Sequence, residues 1–161
     1  MAKLQDCQFF EIKIDGKILA GLSEEEKYKG WIEGFMAPGL QSISGPDGIY
    51  FDPIRLTLTM CDGTRELYEK FVKRGYQDLT ITVVHRGSSQ LNGDYEIQRT
   101  VFSDCKFQSF DFEPRDQNMF ANVSLTFVGG VELTFNIPNA QGKGIDKIGP
   151  IKYNIPQKKL M

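Results

Sequence analysis

The chain has 161 residues, of which 40% are hydrophobic and 25% are charged, and its formal net charge is -2. This composition is typical of one globular domain with a hydrophobic core, and it excludes an intrinsically disordered chain. The near-neutral charge argues against a general nucleic-acid-binding protein, and no apolar run reaches the roughly 18 residues of a membrane span. Charges interrupt the first residues, unlike in a signal peptide, so we expect no membrane partner and synthesis in the cytoplasm.

The first third of the chain predicts β-strands separated by polar segments. Apolar and charged residues alternate over Phe9–Ile14, which indicates a strand with one buried face, and Asp15–Gly16 follows as a turn. Residues 23–29 are expected to form a charged surface loop or a single helical turn. Further strands are predicted at Gly30–Met36 and Tyr50–Thr59.

Two segments have the composition of loops. Residues 37–48 are rich in proline, glycine and serine, which is typical of an exposed, mobile loop. Residues 136–161 contain three prolines and three glycines, which predicts a mobile C-terminal tail with one short strand at Ile151–Tyr153. Segments of this length either stay disordered or become ordered on a neighbouring chain.

A single helix is predicted after the third strand. Its apolar residues recur at helical spacing and are Leu67, Tyr68, Phe71 and Val72. Asp62 or Thr64 is expected to cap its N-terminus, and Gly75 is expected to end it. A helix of this length can cover one opening of a barrel but cannot stand alone.

The second half of the chain again predicts strands. Asn92–Gly93 and Gly129–Gly130 are turn signals. The predicted strands are Leu79–Val84, Tyr95–Val101, Phe107–Phe112, Asn122–Phe127 and Val131–Phe135. Many short strands with one helix predict a mainly β fold, an antiparallel β-barrel or sandwich with one α-helix packed at the barrel. No linker divides the chain, so residues 1–161 are predicted to form one domain.

Residues with reactive side chains are few and scattered. His85 is the only histidine, and no cysteine or histidine spacing fits a metal site. Asp111 and Glu113 lie two apart on a strand, hence on one face, where two carboxylates can do acid–base chemistry. Because Arg115 and Asp116 continue the charged stretch, a hydrophilic face is the favoured interpretation. We predict no enzyme, no catalytic residue, no metal and no cofactor.

The cysteines are Cys7, Cys61 and Cys105, an odd number at wide spacing. Three free thiols are the favoured interpretation. A disulfide between neighbouring subunits is the alternative.

Six short segments carry a resemblance to a known family. In chain order they are Ile12–Gly16, Lys29–Glu33, residues 37–48, Tyr95–Phe110, Ala121–Phe127 and Gly149–Tyr153. Together they resemble the haemolysin-coregulated protein (Hcp) family of type VI secretion, with the related contractile-phage tail-tube proteins behind it. The segment Met60–Glu69 is more similar to a phage tail-tube protein, so both machines stay open.

The resemblance implies a structural protomer of the inner tube of a contractile injection apparatus. In that family six β-barrel protomers form a ring, and rings stack into a hollow tube for DNA or effectors. The partners implied are other copies of the chain, the sheath, the baseplate or spike proteins, and cargo in the lumen. The implied location is the bacterial cytoplasm, with assembly into a virion tail or a secretion tube.

Two groups of residues are our candidates for self-association. A flexible arm can pair its backbone with the sheet edge of a neighbour, which makes the 37–48 loop a candidate for stacking rings. Its residues are Pro38, Gly39, Leu40, Ile43, Gly45 and Pro46. The C-terminal tail is the second candidate, with Ile148, Pro150, Ile151 and Tyr153.

The alternative function is a soluble ligand-binding β-barrel. It predicts an internal apolar cavity lined by Phe102, Phe107, Phe110 and Phe112. The favoured interpretation of these side chains is a solid core.

Overall fold

A computed structural model describes residues 7–89, 93–139 and 144–161. The strands are β1 Gln8–Ile14, β2 Lys17–Ile18, β3 Ile32–Met36, β4 Ser42–Gly45, β5 Gly48–Phe51, β6 Ile54–Thr59, β7 Leu79–Ser89, β8 Gly93–Arg115, β9 Asn118–Pro138, β10 Ile145–Asn154 and β11 Lys159–Leu160. The helix α1 spans Asp62–Lys73, and Glu26–Tyr28 form a short 3-10 helix. The protein is therefore mainly β, with one α-helix among the described residues, as the sequence predicts.

Six strands close into an antiparallel barrel. Hydrogen-bonded neighbours follow the order β9, β6, β3, β1, β7 and β8, and β8 pairs back onto β9. Since each pairing is antiparallel, side chains alternate between the barrel interior and its outer surface. The predicted alternation of the first strand is confirmed, because Phe10, Ile12 and Ile14 lie fully inside. Asp15 and Gly16 both have positive φ, as a two-residue hairpin turn requires.

The long strands β8 and β9 replace four shorter predicted ones. Gly129–Gly130, predicted as a turn, lies inside β9, so that prediction is wrong. A Cβ on Gly130 would stand 2.6 Å from the carbonyl oxygen of Tyr153 in β10. Glycine is needed here because two backbones approach closely, not because the chain reverses. The Asn92–Gly93 turn lies partly outside the described residues.

The helix α1 packs on the core without a side-chain cap. Its first residue follows Cys61, and neither Asp62 nor Thr64 caps it, which corrects the prediction. The Thr64 hydroxyl instead donates a 2.7 Å hydrogen bond to the Thr59 carbonyl, so it joins the helix to the end of β6. Arg74 is the first residue with positive φ after the helix, one position before the predicted Gly75.

A second, smaller apolar cluster lies on the outer surface of the barrel. Phe9 of β1 stacks on Tyr28 with ring centroids 4.7 Å apart, and Trp31 meets Tyr28 edge-on at 5.2 Å. The Tyr28 hydroxyl donates a 2.7 Å hydrogen bond to Glu96 of β8. Arg99 donates two more to the same carboxylate, at 2.7 and 3.0 Å. Residues 20–31 therefore cover the outer face of β1, β7 and β8.

This cluster makes the stability of the protein depend on pH. The hydrogen bonds from Arg99 and Tyr28 hold the pKa of Glu96 below its ordinary value. A carboxyl with a lowered pKa in the folded state stabilises the fold above its unfolded pKa, and that contribution is lost as the pH falls through the folded value. We expect the free energy of unfolding to fall below about pH 4.5.

The variant Glu96→Gln should be less stable at pH 7 and should lose less stability on acidification. Urea unfolding at pH 7 and pH 3.5 measures both effects. Glu24→Gln, at an exposed position, is the control and should follow the wild type. Equal pH dependence of wild type and Glu96→Gln would contradict this account.

Candidate self-association surfaces

The segment predicted as a mobile loop is a β-hairpin. Strands β4 and β5 pair in register from Ser42 opposite Phe51 to Gly45 opposite Gly48, which leaves Pro46 and Asp47 as the turn. The prediction of irregular structure for residues 37–48 is therefore wrong. The proline and glycine content belongs to the turn and the approach to it, and the paired strands flank that turn.

The base of the hairpin is anchored in the core. Leu40 packs against the main core cluster. The ring of Phe51 lies 5.3 Å from that of Phe127 and 5.6 Å from that of Tyr153. Of the six predicted contact residues, Leu40 thus holds the hairpin to its own barrel and is not presented to a neighbour.

The rest of the hairpin is exposed and acidic. Ile43 and Tyr50 face each other across the two strands and are both 48% exposed, and Ile49 beside them is 40% exposed. Pro38, Gly39 and Pro46 are also exposed, while Gly45 is half-buried beneath the Tyr50 ring. Residues 37–53 contain two aspartates and no lysine or arginine.

The predicted C-terminal tail contains a ten-residue strand. Strand β10 pairs with β9 along its length, with an irregularity between Ile148 and Ile151, where Gly149 and Pro150 lie. The sequence predicted only Ile151–Tyr153 as strand, since Gly149 and Pro150 resemble a break. Because the two residues form a bulge, pairing continues on both sides of them.

The tail strand presents a bare edge and a basic surface. Ile148, Pro150 and Ile151 are exposed, as predicted for contact residues, whereas Tyr153 packs on Phe51 within its own chain. Residues 145–161 contain four lysines and one aspartate. All four lysines are exposed, and in the described part of the chain none forms an ion pair.

A third surface is the polar outer face of β6, β9 and β8. The Thr57 hydroxyl donates a 2.9 Å hydrogen bond to Asn122, whose amide donates a 3.1 Å bond to Glu113. Arg115 donates a further 3.1 Å bond to Glu113. An open groove of about 470 Å³ crosses this face, and its lining includes Arg55 and Asp111. The polar side chains bond to one another along the sheet and leave a hydrophilic wall.

These contacts argue against a general-acid role for Glu113. The hydrogen bonds from Asn122 and Arg115 lower the pKa of Glu113, so this carboxyl stays ionised at neutral pH. A general acid at pH 7 needs a raised pKa. In residues 7–89, 93–139 and 144–161, no group of three or more acidic, histidine or cysteine side chains is placed to hold a metal ion.

The four phenylalanines of the alternative function pack together with other side chains. Phe102 is fully buried, and its ring lies 4.9 Å from that of Phe127. Phe71 of α1 lies 5.6 Å from both Phe107 and Phe110, and Tyr68 of α1 lies 5.0 Å from Phe112. The interpretation of a solid core is confirmed for Phe102, and Phe107 and Phe110 are partly buried against that core. It is wrong for Phe112, which is 42% exposed beside α1.

The cysteines are all unpaired within the chain. Burial raises the pKa of both Cys7 and Cys105 to about 12, and the Cys7 thiol also donates to Glu33. Because the thiolate is the reactive form, burial makes these two thiols less reactive. The disulfide between subunits stays a prediction.

No family model matches this sequence, and the search of the curated proteins gives no match either. Solved structures do match over nearly the whole chain. A type six secretion system protein aligns with a TM-score of 0.73 at 17% identity, over 95% of this chain and 99% of the other. Hcp1 from Salmonella typhimurium aligns with a TM-score of 0.67 at 16% identity, over 96% and 99%. This chain has the Hcp fold.

A further Hcp structure extends the comparison. The secreted protein Hcp3 from Pseudomonas aeruginosa aligns with a TM-score of 0.62 at 11% identity, over 88% of this chain and 96% of the other. Identities this low establish the fold alone. Within the Hcp fold of this chain, no described helix is both long and apolar enough to cross a membrane.

Proposed function

We propose that this protein is a structural protomer of the inner tube of a contractile injection apparatus, a type VI secretion tube or a phage tail tube. The observation that carries the proposal is the match of the Hcp fold over 95% of this chain and 99% of a type six secretion system protein. Hexameric rings of the protein would stack into a hollow conduit. We propose no catalytic role.

The surfaces of the chain support self-association. The barrel closes its own sheet, so the protein does not need a partner to complete its core. The hairpin and the tail strand nevertheless keep large apolar side chains in water. Such exposed apolar residues mark interaction sites when they cluster. We assign ring stacking to the exposed part of the hairpin, and contact with an adjacent protomer to β10.

The polar face of β6, β9 and β8 is our candidate for the wall of the lumen. Residues 20–31 cover the outer face of β1, β7 and β8, whereas this face carries mutually bonded polar side chains and an open groove. A wall without apolar patches lets cargo slide without sticking. DNA or effector proteins are the proposed cargo, and the sheath and the baseplate or spike are the proposed partners.

The direct test is assembly of the purified protein. In negative-stain electron microscopy we expect rings, and stacks of rings at high protein concentration. In sedimentation we expect particles whose masses are multiples of the mass of one ring. The assembly should occur without any added ligand. A protein that sediments as a monomer at every concentration tested would refute the proposal.

A further inference from the structure

We propose that the β4–β5 hairpin of one copy pairs with the free edge of β10 in a neighbouring copy, through backbone hydrogen bonds and opposite charges. This inference rests on the proposed function, and it names the acceptor surface for the hairpin. Within one chain, neither the hairpin nor β10 has a partner strand on each of its edges. Among the described residues β4 and β5 pair only with each other, and β10 pairs with β9 on one side.

The lengths of the two edges match. The second edge of β10 carries β11 at Tyr153 and Asn154, and the Met161 amide donates a hydrogen bond to the Lys152 carbonyl. Residues 145–151 therefore have no partner strand on this edge in the described part of the chain. Pro150 has no backbone N–H and interrupts that edge. Four residues, Ile145–Ile148, therefore remain before the bulge, and β4 and β5 have four residues each.

The charges of the two segments are opposite. The hairpin segment 37–53 carries Asp47 and Asp52 with no cation, and residues 145–161 carry Lys147, Lys152, Lys158 and Lys159 against one aspartate. None of these aspartates or lysines forms an ion pair within the described part of the chain. Opposite potentials across an interface select the partner and set its register.

The apolar side chains complete the match. Ile43 and Tyr50 stand side by side on one face of the hairpin, and Ile148 and Ile151 are 44% and 42% exposed on β10. An added strand gains main-chain hydrogen bonds for affinity, and its alternate side chains find apolar contacts for specificity. The contact is heterologous, so each copy offers one hairpin and one edge, and the pairing repeats from copy to copy.

Two charge-reversed variants test the pairing. The hairpin variant carries Asp47→Lys and Asp52→Lys, and the tail variant carries Lys147→Glu and Lys152→Glu. Each variant alone places like charges across the contact, so we expect the protein concentration needed for assembly to rise about tenfold or more. When the two variants are mixed in equal amounts, lysine hairpins meet glutamate tails and aspartate hairpins meet lysine tails. Assembly should then return, with strict alternation of the two variants.

Two further charge-reversed variants serve as controls. Glu24→Lys and Lys29→Glu change exposed charges on the segment that covers the barrel, and they should assemble like the wild type. Sedimentation measures assembly, and circular dichroism shows that each variant is folded. Wild-type assembly of either single variant would overturn the inference, and so would two defective variants that stay unassembled when mixed. In both cases wild-type rings would still stand, so the proposed function would survive; a wild type that never assembles would remove both.

Discussion

Shortening the hairpin impairs the stacking of rings and leaves the barrel folded: this is the expected result of replacing Ile43–Tyr50 with Asn-Gly. Ser42 and Phe51 face each other in the ladder, so a two-residue turn can join them without strain. Leu40 and Phe51 stay in place and keep the base packed on the core. The variant loses three exposed apolar side chains, those of Ile43, Ile49 and Tyr50. An anchor side chain at the centre of an interface is worth about 2 kcal/mol or more.

The concentration needed for assembly should therefore rise roughly a hundredfold or more, as measured by sedimentation and electron microscopy. Thermal unfolding of the shortened protein should match that of the wild type. Leu22→Ser is the matched control, because Leu22 is an exposed apolar residue outside the hairpin and the tail. Tubes of normal length from the shortened protein would exclude the hairpin from stacking.

The largest loss of stability is expected from Gly34→Ala in β3. Gly34 lies opposite Leu58 of β6, and a Cβ at this position would stand 2.2 Å from the carbonyl oxygen of Thr57. Both neighbours of β3 are strands of the closed barrel, so the clash is relieved only by separating β3 from β6 and breaking their hydrogen bonds. We expect the free energy of unfolding to fall by about 3 kcal/mol or more.

Urea unfolding measures this change, with Gly39→Ala as the control. Gly39 is exposed, and no heavy atom lies within 4 Å of the Cβ that alanine would add there. The control should stay within about 0.5 kcal/mol of the wild type. If both variants unfold at the same urea concentration as the wild type, β3 and β6 do not approach as described.

Local patterns predicted those elements whose formation depends on neighbouring residues. Alternation over Phe9–Ile14 predicted the first strand, and the apolar stripe of α1 predicted a helix that buries Leu67. The Asp15–Gly16 turn was predicted because both residues tolerate positive φ. These signals are local, so sequence reasoning finds them.

Glycine and proline misled the predictions where strand pairing decides the structure. Gly129–Gly130 indicated a turn and lies in a continuous strand, and Gly149–Pro150 indicated a break and forms a bulge. In residues 37–48 the content of proline, glycine and serine predicted a mobile loop, although the segment belongs to a β-hairpin. In each case the structure depends on the strand with which the segment pairs. Composition does not show which strand that is.

The mainly β class and the position of α1 follow from periodicity and composition, which are local properties of the sequence. Which of the candidate contact residues face the solvent depends instead on how the strands pack. Leu40 and Tyr153 are apolar members of the two candidate segments, like Ile43 and Ile148, and the first two turn to the core of their own chain. The physical reason is that burial depends on which strands meet across the barrel, and strand pairing joins residues far apart in the chain.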